Sequence, residues 1–452
     1  MSEDEGGGAS KAPARDVSAA ASAVFRIESA RLIAGLARVV RDVGLAEELA
    51  QDALVIALEE WPSTGIPDNP GAWLMATAKR RAIDQLRRRR MIERKHELVG
   101  HELASRQELS AAELEDAADD DVGDDLLRLI FTCCHPALAP EARVALTLRL
   151  LGGLTTAEIA RAFVVPEATV AQRIVRAKRT LVEQRVPFEV PRGVDRDARL
   201  GSVLAVLYLV FNEGYSATAG DDWIRPALCQ DALRMGRILA ELAPNEPEVH
   251  GLVALMEIQA SRLGARVGPG GEPILLLDQN RGRWDHLLVR RGLVALARAE
   301  ALGQRPGPYV LQASIAACHG RARTAQETDW PRIAATYAEL ALISPSPIVE
   351  LNRAVAVGMA EGPARGLALV DALSAEPALS GYHLLPSVRA DFLVKLGRFD
   401  EARAELGRAA TLTHNERERA LLRARAAACA GDPAPRSSSS IPPNAADDGV
   451  GH

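Results

Sequence analysis

From about Val24 to Ala430, apolar residues recur at helical spacing almost without interruption, while strict alternation and β-branched runs are nearly absent. Much of this stretch is Ala, Leu and Arg, which lose little side-chain freedom in a helix. These features predict an all-α fold. With 452 residues, the chain is too long for one core of ordinary size, and about two to four domains are expected. No apolar run approaches the roughly 18 residues needed to span a bilayer, so no membrane partner is expected. The N-terminal MSEDEGGGASKAPARD lacks a basic stretch followed by an apolar one, which makes the cytosol the expected compartment. Five cysteines form an odd, sparse set that does not look like a disulfide framework.

Composition and charge divide the chain. Residues 1–22 and the tail 431–452 are rich in Gly, Ser, Pro and charge without periodicity, and are expected to be disordered. Between them lie a first block (23–95), an anionic linker (96–124) whose end reads DAADDDVGDD, a short second block (125–186), and a long helical extension (187–430).

The first block is polarised. Leu45, Leu49, Ala53, Ile56 and Ala57 make the apolar stripe of a helix on which Glu47, Glu48, Gln51 and Asp52 fall largely on other faces. Trp61-Pro62 is expected to end that helix. Asn69-Pro70 then favours a turn and opens another helix. In this second helix Trp73, Leu74, Ala78, Ala82 and Leu86 give an apolar side, and Lys79, Arg80, Arg81, Arg87, Arg88 and Arg89 cover much of the rest. Such a helix suits a phosphate backbone, because neutralised phosphates release counterions. An acidic solvated face and a basic solvated patch fit the same residues.

In the second block, LTTAEIARAFVVPEATVAQRIVRAKRTL reads as a helix-turn-helix. Thr155 or Thr156 can cap the first helix, with Glu158 in its first turn. Ile159 and Phe163 face inward, and Val170 and Ile174 point back from the second helix. Glu167, Thr169, Ala171, Gln172, Arg173 and Arg176 are left for its outer face and N-terminal end. Gln can read adenine and Arg guanine in the major groove. The turn has no Gly, and a plain helical hairpin also fits.

The order of RDVGLAEELAQDALVIALEEWP, NPGAWLMATAKRRAIDQLRRRR, an acidic linker and the helix-turn-helix resembles the extracytoplasmic-function sigma factors of bacterial RNA polymerase. The resemblance implies that Glu47, Glu48, Gln51 and Asp52 dock on core polymerase. It further implies that the loop 63–69, with Asp68 and Asn69, captures a base of the −10 promoter element. Trp73, Lys79, Arg80, Arg81, Arg87 and Arg88 would read that element. Glu167, Thr169, Ala171, Gln172, Arg173 and Arg176 would read the −35 element. Phe25, Trp61 and Trp73 are the only aromatics of the first block. Each stacked base returns about 1–3 kcal/mol, and each opened step costs about 1.4 kcal/mol. The chain is therefore expected to melt promoter DNA only together with polymerase.

The extension exceeds what the family needs for reading DNA. LGRFDEARAEL (396–406), EGPARGLALVDAL and TDWPRIAATYAEL recur at a tetratricopeptide-like period of about 34 residues, although an irregular bundle also fits. The resemblance extends to the subgroup of these sigma factors with such an extension, which would regulate or complete activity. Asn212, Glu213, Asp278, Gln279, Arg283, Trp284 and Asp285 could line a cleft for a protein or small ligand, or serve as caps and interhelical ties.

Cys133-Cys134-His135 lacks the spacing of a four-ligand zinc site and reads as packing before Pro136. No phosphate loop or nucleophile elbow is present, so neither enzymatic activity nor a cofactor is expected. The competing reading is a helix-turn-helix regulator with a tetratricopeptide sensor that is not a polymerase subunit.

Overall fold

A computed structural model describes residues 14–97, 122–163, 165–216 and 224–430. Most of the linker and the whole C-terminal tail lie outside the described residues. Those that are described form α-helices joined by turns and short 3-10 segments, without a strand. The all-α expectation holds. Two compact units divide the chain, one of residues 1–159 and 166–203, the other of 160–165 and 204–452.

The first unit is built on α1 (Ala14–Val40), against which α2 (Val43–Thr64), α3 (Pro70–Glu97) and α4 (Val122–Cys133) all pack. Helix α5 (Pro140–Leu150) packs on α4 and on α7 (Glu167–Glu183), with the short α6 (Thr156–Ala162) between them in sequence. Leu45, Leu49, Ala53 and Ala57 of α2 are buried as their spacing predicts, and so are Leu74, Ala78 and Ala82 of α3. Cys133 and Cys134 are core residues at the end of α4.

Two boundaries differ from expectation. Helix α1 starts at Ala14, so residues 14–22 are helical rather than disordered. Their Ala-rich sequence has high helix propensity, and Ala21 is buried. Helix α2 does not end at Trp61-Pro62 but runs through Pro62 to Thr64. Proline in the last turn forfeits one backbone bond, and the hydroxyls of Ser63 and Thr64 each donate to the Glu60 carbonyl at 2.9 Å. Gly65, at φ +86°, then closes the helix through its N–H to Trp61.

Helix α8 (Val194–Tyr215) leads into the second unit. There α9 (Pro226–Leu242), α11 (His286–Ala301) and α12 (Pro308–Arg321) all pack on α10 (Pro247–Ala260). Helix α10 is buried around nearly its whole circumference, as a central helix must be. Six helices then follow as hairpins: α13 (Trp330–Ile343) with α14 (Pro347–Glu361), α15 (Pro363–Leu373) with α16 (Leu384–Lys395), and α17 (Phe399–Leu412) with α18 (Glu416–Ala428). The extensive contacts join helices that are neighbours or next neighbours in sequence. Helices α14 and α15 meet closely at Gly358 and Gly366, where a Cβ on either would lie within 2.5 Å of the Phe392 ring.

Candidate nucleic-acid interface

The helix-turn-helix begins with a reciprocal cap. The Thr155 hydroxyl accepts from the Glu158 N–H at 3.2 Å, and the Glu158 carboxylate accepts from the Thr155 N–H at 2.7 Å. The cap is thus Thr155, not Thr156. On α7, Val170, Ile174, Ala177 and Leu181 are buried at helical spacing. The opposite face carries Glu167, Ala171, Gln172 and Arg176, all exposed, with Thr169 and Arg173 half-buried at its edges. The six residues singled out above therefore all lie off the buried stripe, alongside the exposed Val175 and Val182.

In the first block, Asn69 is the N-cap of α3, its side-chain oxygen accepting from the Ala72 N–H at 3.0 Å. Asp68 is exposed beside it, and the connecting loop is reduced to residues 65–69 because α2 runs on. Trp61 is fully buried, and half-buried Trp73 meets it edge to face with ring centroids 5.3 Å apart. Trp61 is therefore spent on the core, and Trp73 offers only part of its ring. Arg80, Arg81 and Arg87 are exposed and Lys79 half-buried along α3. The Arg88 and Arg89 side chains lie outside the described residues. Arg81 approaches Asp52 of α2 at 3.8 Å, a half-exposed pair of small energetic consequence.

The four acidic or amide residues of α2 do not share one environment. Glu48 and Asp52 are exposed, but Glu47 is only 5% exposed. The Glu47 carboxylate accepts from Gln51 Nε2 at 2.8 Å and from Arg149 Nε of α5 at 2.6 Å, and it pairs with Lys178 Nζ of α7. A second buried carboxylate, Asp125 of α4, forms an ion pair with Arg38 of α1 at 3.0 Å and accepts from Arg128 at 2.6 Å. Sequence reasoning missed Arg149, Lys178 and Asp125, and no local spacing signals them.

In the extension, three of the seven residues that could line a cleft act as ties or caps. Glu213 pairs with Arg225, Gln279 accepts from Arg262 Nε at 3.3 Å, and Asp285 caps α11. Arg281 is buried over the Trp284 ring and donates to the His319 and Ala322 carbonyls at the end of α12, at 2.7 and 2.8 Å. Trp284 also borders a cavity of about 440 Å³, lined further by Arg281, His286, Val289, Arg321 and Arg323. Its charged lining is cationic.

A helical domain with a cationic helix, followed by a capped helix-turn-helix, is the arrangement expected of a transcription-initiation subunit. Residues 25–92 match sigma-70 region 2, and residues 128–181 match sigma-70 region 4. Residues 199–300 match a family of unknown function, DUF6596. The uncharacterized protein R00370 of Rhizobium meliloti (strain 1021) is 43% identical over 401 residues, covering 88% of this chain and 93% of its own length. The ECF RNA polymerase sigma factor SigK of Mycobacterium sp. (strain KMS) is 43% identical over 77 residues, 16% of this chain and 38% of its own. No solved structure matches. The chain belongs to the extracytoplasmic-function sigma factors that carry a C-terminal extension. Its partners are core RNA polymerase and promoter DNA. Among the described residues, no helix is long and apolar enough to cross a membrane.

Proposed function

We propose that α2 docks on core polymerase through Glu47, Glu48, Gln51 and Asp52. In the same reading, Asp68, Asn69, Trp73 and the cations of α3 from Lys79 to Arg88 engage the −10 element. Glu167, Thr169, Ala171, Gln172, Arg173 and Arg176 of α7 engage the −35 element. The extension regulates or completes this activity, through tetratricopeptide-like hairpins that bind a protein or a small ligand.

The observation that carries the assignment is the two-sidedness of α7. Val170, Ile174, Ala177 and Leu181 turn inward, and the outward side carries Glu167, Gln172 and Arg176 together with the exposed Val175 and Val182. A helix of that kind fits the major groove with its first turns at base edges. For the extension, support comes from the consecutive hairpins beginning at Trp330, Pro363 and Phe399, close to a tetratricopeptide repeat length, and from the cationic cavity beside Trp284.

Run-off transcription with core polymerase tests both parts. The full chain should direct specific initiation, and Arg173→Ala with Arg176→Ala should abolish it without loss of core binding. A chain truncated after Arg185 should initiate at an altered level. Unchanged activity on truncation would remove the extension from the mechanism.

A further inference from the structure

Glu47 lies on the helix face read above as the polymerase-docking surface, yet it is buried by two cations from the other promoter-reading block. Arg149 is further fixed by donating to the Leu154 carbonyl at 3.2 Å. The Arg38–Asp125 pair ties the same two blocks at a second point, where α4 packs on α1. Such buried, bidentate arrangements resist salt screening far better than exposed pairs.

This closed arrangement conflicts with promoter reading. The −10 and −35 elements are named for positions about 25 base pairs apart, roughly 85 Å along B-DNA at 3.4 Å per step. Packed helices lie only about 8–10 Å apart. Helix α3 packs on α2, and α7 is joined to α2 through Lys178. The −10 and −35 helices therefore cannot reach both elements while Lys178 and Arg149 hold Glu47.

We infer that Glu47, Arg149 and Lys178 form an autoinhibitory latch, which closes the free chain and which core polymerase opens by taking over the 47–52 face of α2. The inference rests on the assignment of that face to polymerase. Its consequence is that the free sigma factor does not occupy promoters, and its affinity for core enzyme is reduced by the fraction of time spent closed. A chain open for about a tenth of the time binds about tenfold more weakly than one held open.

The test uses the full chain with spin labels at exposed positions of α3 and α7, through Asp84→Cys and Val182→Cys, with Cys429→Ser to leave only buried native thiols. Electron–electron distance measurements on the otherwise unaltered chain should give one short, narrow distribution, which lengthens when core polymerase is added. Lys178→Glu sets a carboxylate beside Glu47 and should lengthen and broaden the distribution without polymerase, while raising core affinity about tenfold. Lys178→Met keeps the aliphatic stem and should act in the same direction to a smaller extent, guarding against a folding defect. The latch is overturned if both variants keep the short distance, or if they open with core affinity unchanged. The docking assignment is tested apart from it by Glu48→Arg with Asp52→Arg, exposed residues outside the latch. Retained core binding in that variant would refute the docking face without altering the distance result in the free chain.

Discussion

Thr155 shows what a single hydroxyl contributes to this fold. Its exchange of hydrogen bonds with Glu158 satisfies two donors at the start of α6 and fixes the entry to the helix-turn-helix. Thr155→Ala should destabilise the first unit by about 1 kcal/mol, read as a lower urea midpoint, and Thr155→Ser should restore most of it. The buried thiols make a second, pH-dependent contribution. Burial pushes the Cys134 thiol up to about 11, with Thr147, Arg143 and Arg199 opposing it only in part. Burial likewise takes Cys229 up to about 12. An unfolded thiol ionises near 8.5, so the unfolded chain loses these protons first as pH rises. The stabilisation is complete below about pH 8.5 and is lost progressively as pH climbs toward the folded-state values. Urea midpoints should fall between about pH 8.5 and 10.5, and Cys134→Ala should make that decline shallower.

At the scale of helices, glycine separates crossing points from free surface. Gly358 of α14 faces the Phe392 ring, where an added Cβ would sit 2.4 Å from ring carbons. Gly407 of α17 is exposed, with nothing within 4 Å of such a Cβ. Gly358→Ala should therefore cost about 1–3 kcal/mol by overpacking. Gly407→Ala should instead stabilise by about 0.5–1 kcal/mol, because alanine loses less backbone freedom in a helix. Thermal melts of the two variants should move in opposite directions. Helices of this kind were legible from spacing alone: Leu45, Leu49 and Ala53 turn inward as predicted, and so do Val170 and Ile174. What spacing could not supply was a second partner for a helix. Glu47 falls off the apolar stripe of α2 and reads as solvent-facing, but Arg149, 102 residues later, closes over it. Spacing was likewise silent on Trp61, which fills the core against Trp73, and on the Asn69 side chain, which caps α3. Amphipathic analysis treats each helix as having one covered side, and it fails where a distant block covers the other.

Over the whole molecule, charge is the property that averages worst. The chain carries a net −6, which by itself disfavours a polyanion, yet α7 from Val170 to Arg179 has four cations and no anion. The two facts act over different ranges. Repulsion from distant carboxylates is screened beyond about 8–10 Å at physiological ionic strength, whereas a cation touching a phosphate releases counterions at any separation from the rest of the protein. Moderate salt therefore suppresses the long-range repulsion and leaves the local contacts to set affinity. Of the four cations, Lys178 is committed to Glu47 in the closed chain and Arg179 pairs with Glu183 at 2.6 Å. That leaves the half-buried Arg173 and the exposed Arg176 as the cations of this helix not committed to a carboxylate in these two pairs. If both neutralise phosphates in the holoenzyme–promoter complex, replacing both with Gln should reduce the slope of log affinity against log salt by about 1.8, at about 0.9 per phosphate. If instead either reads a base, the slope falls by less, and the loss of affinity depends on the identity of the −35 bases. Salt titrations on the cognate −35 sequence and on one with its bases exchanged distinguish the two. An unchanged slope with unchanged affinity on both sequences would take α7 out of contact with DNA.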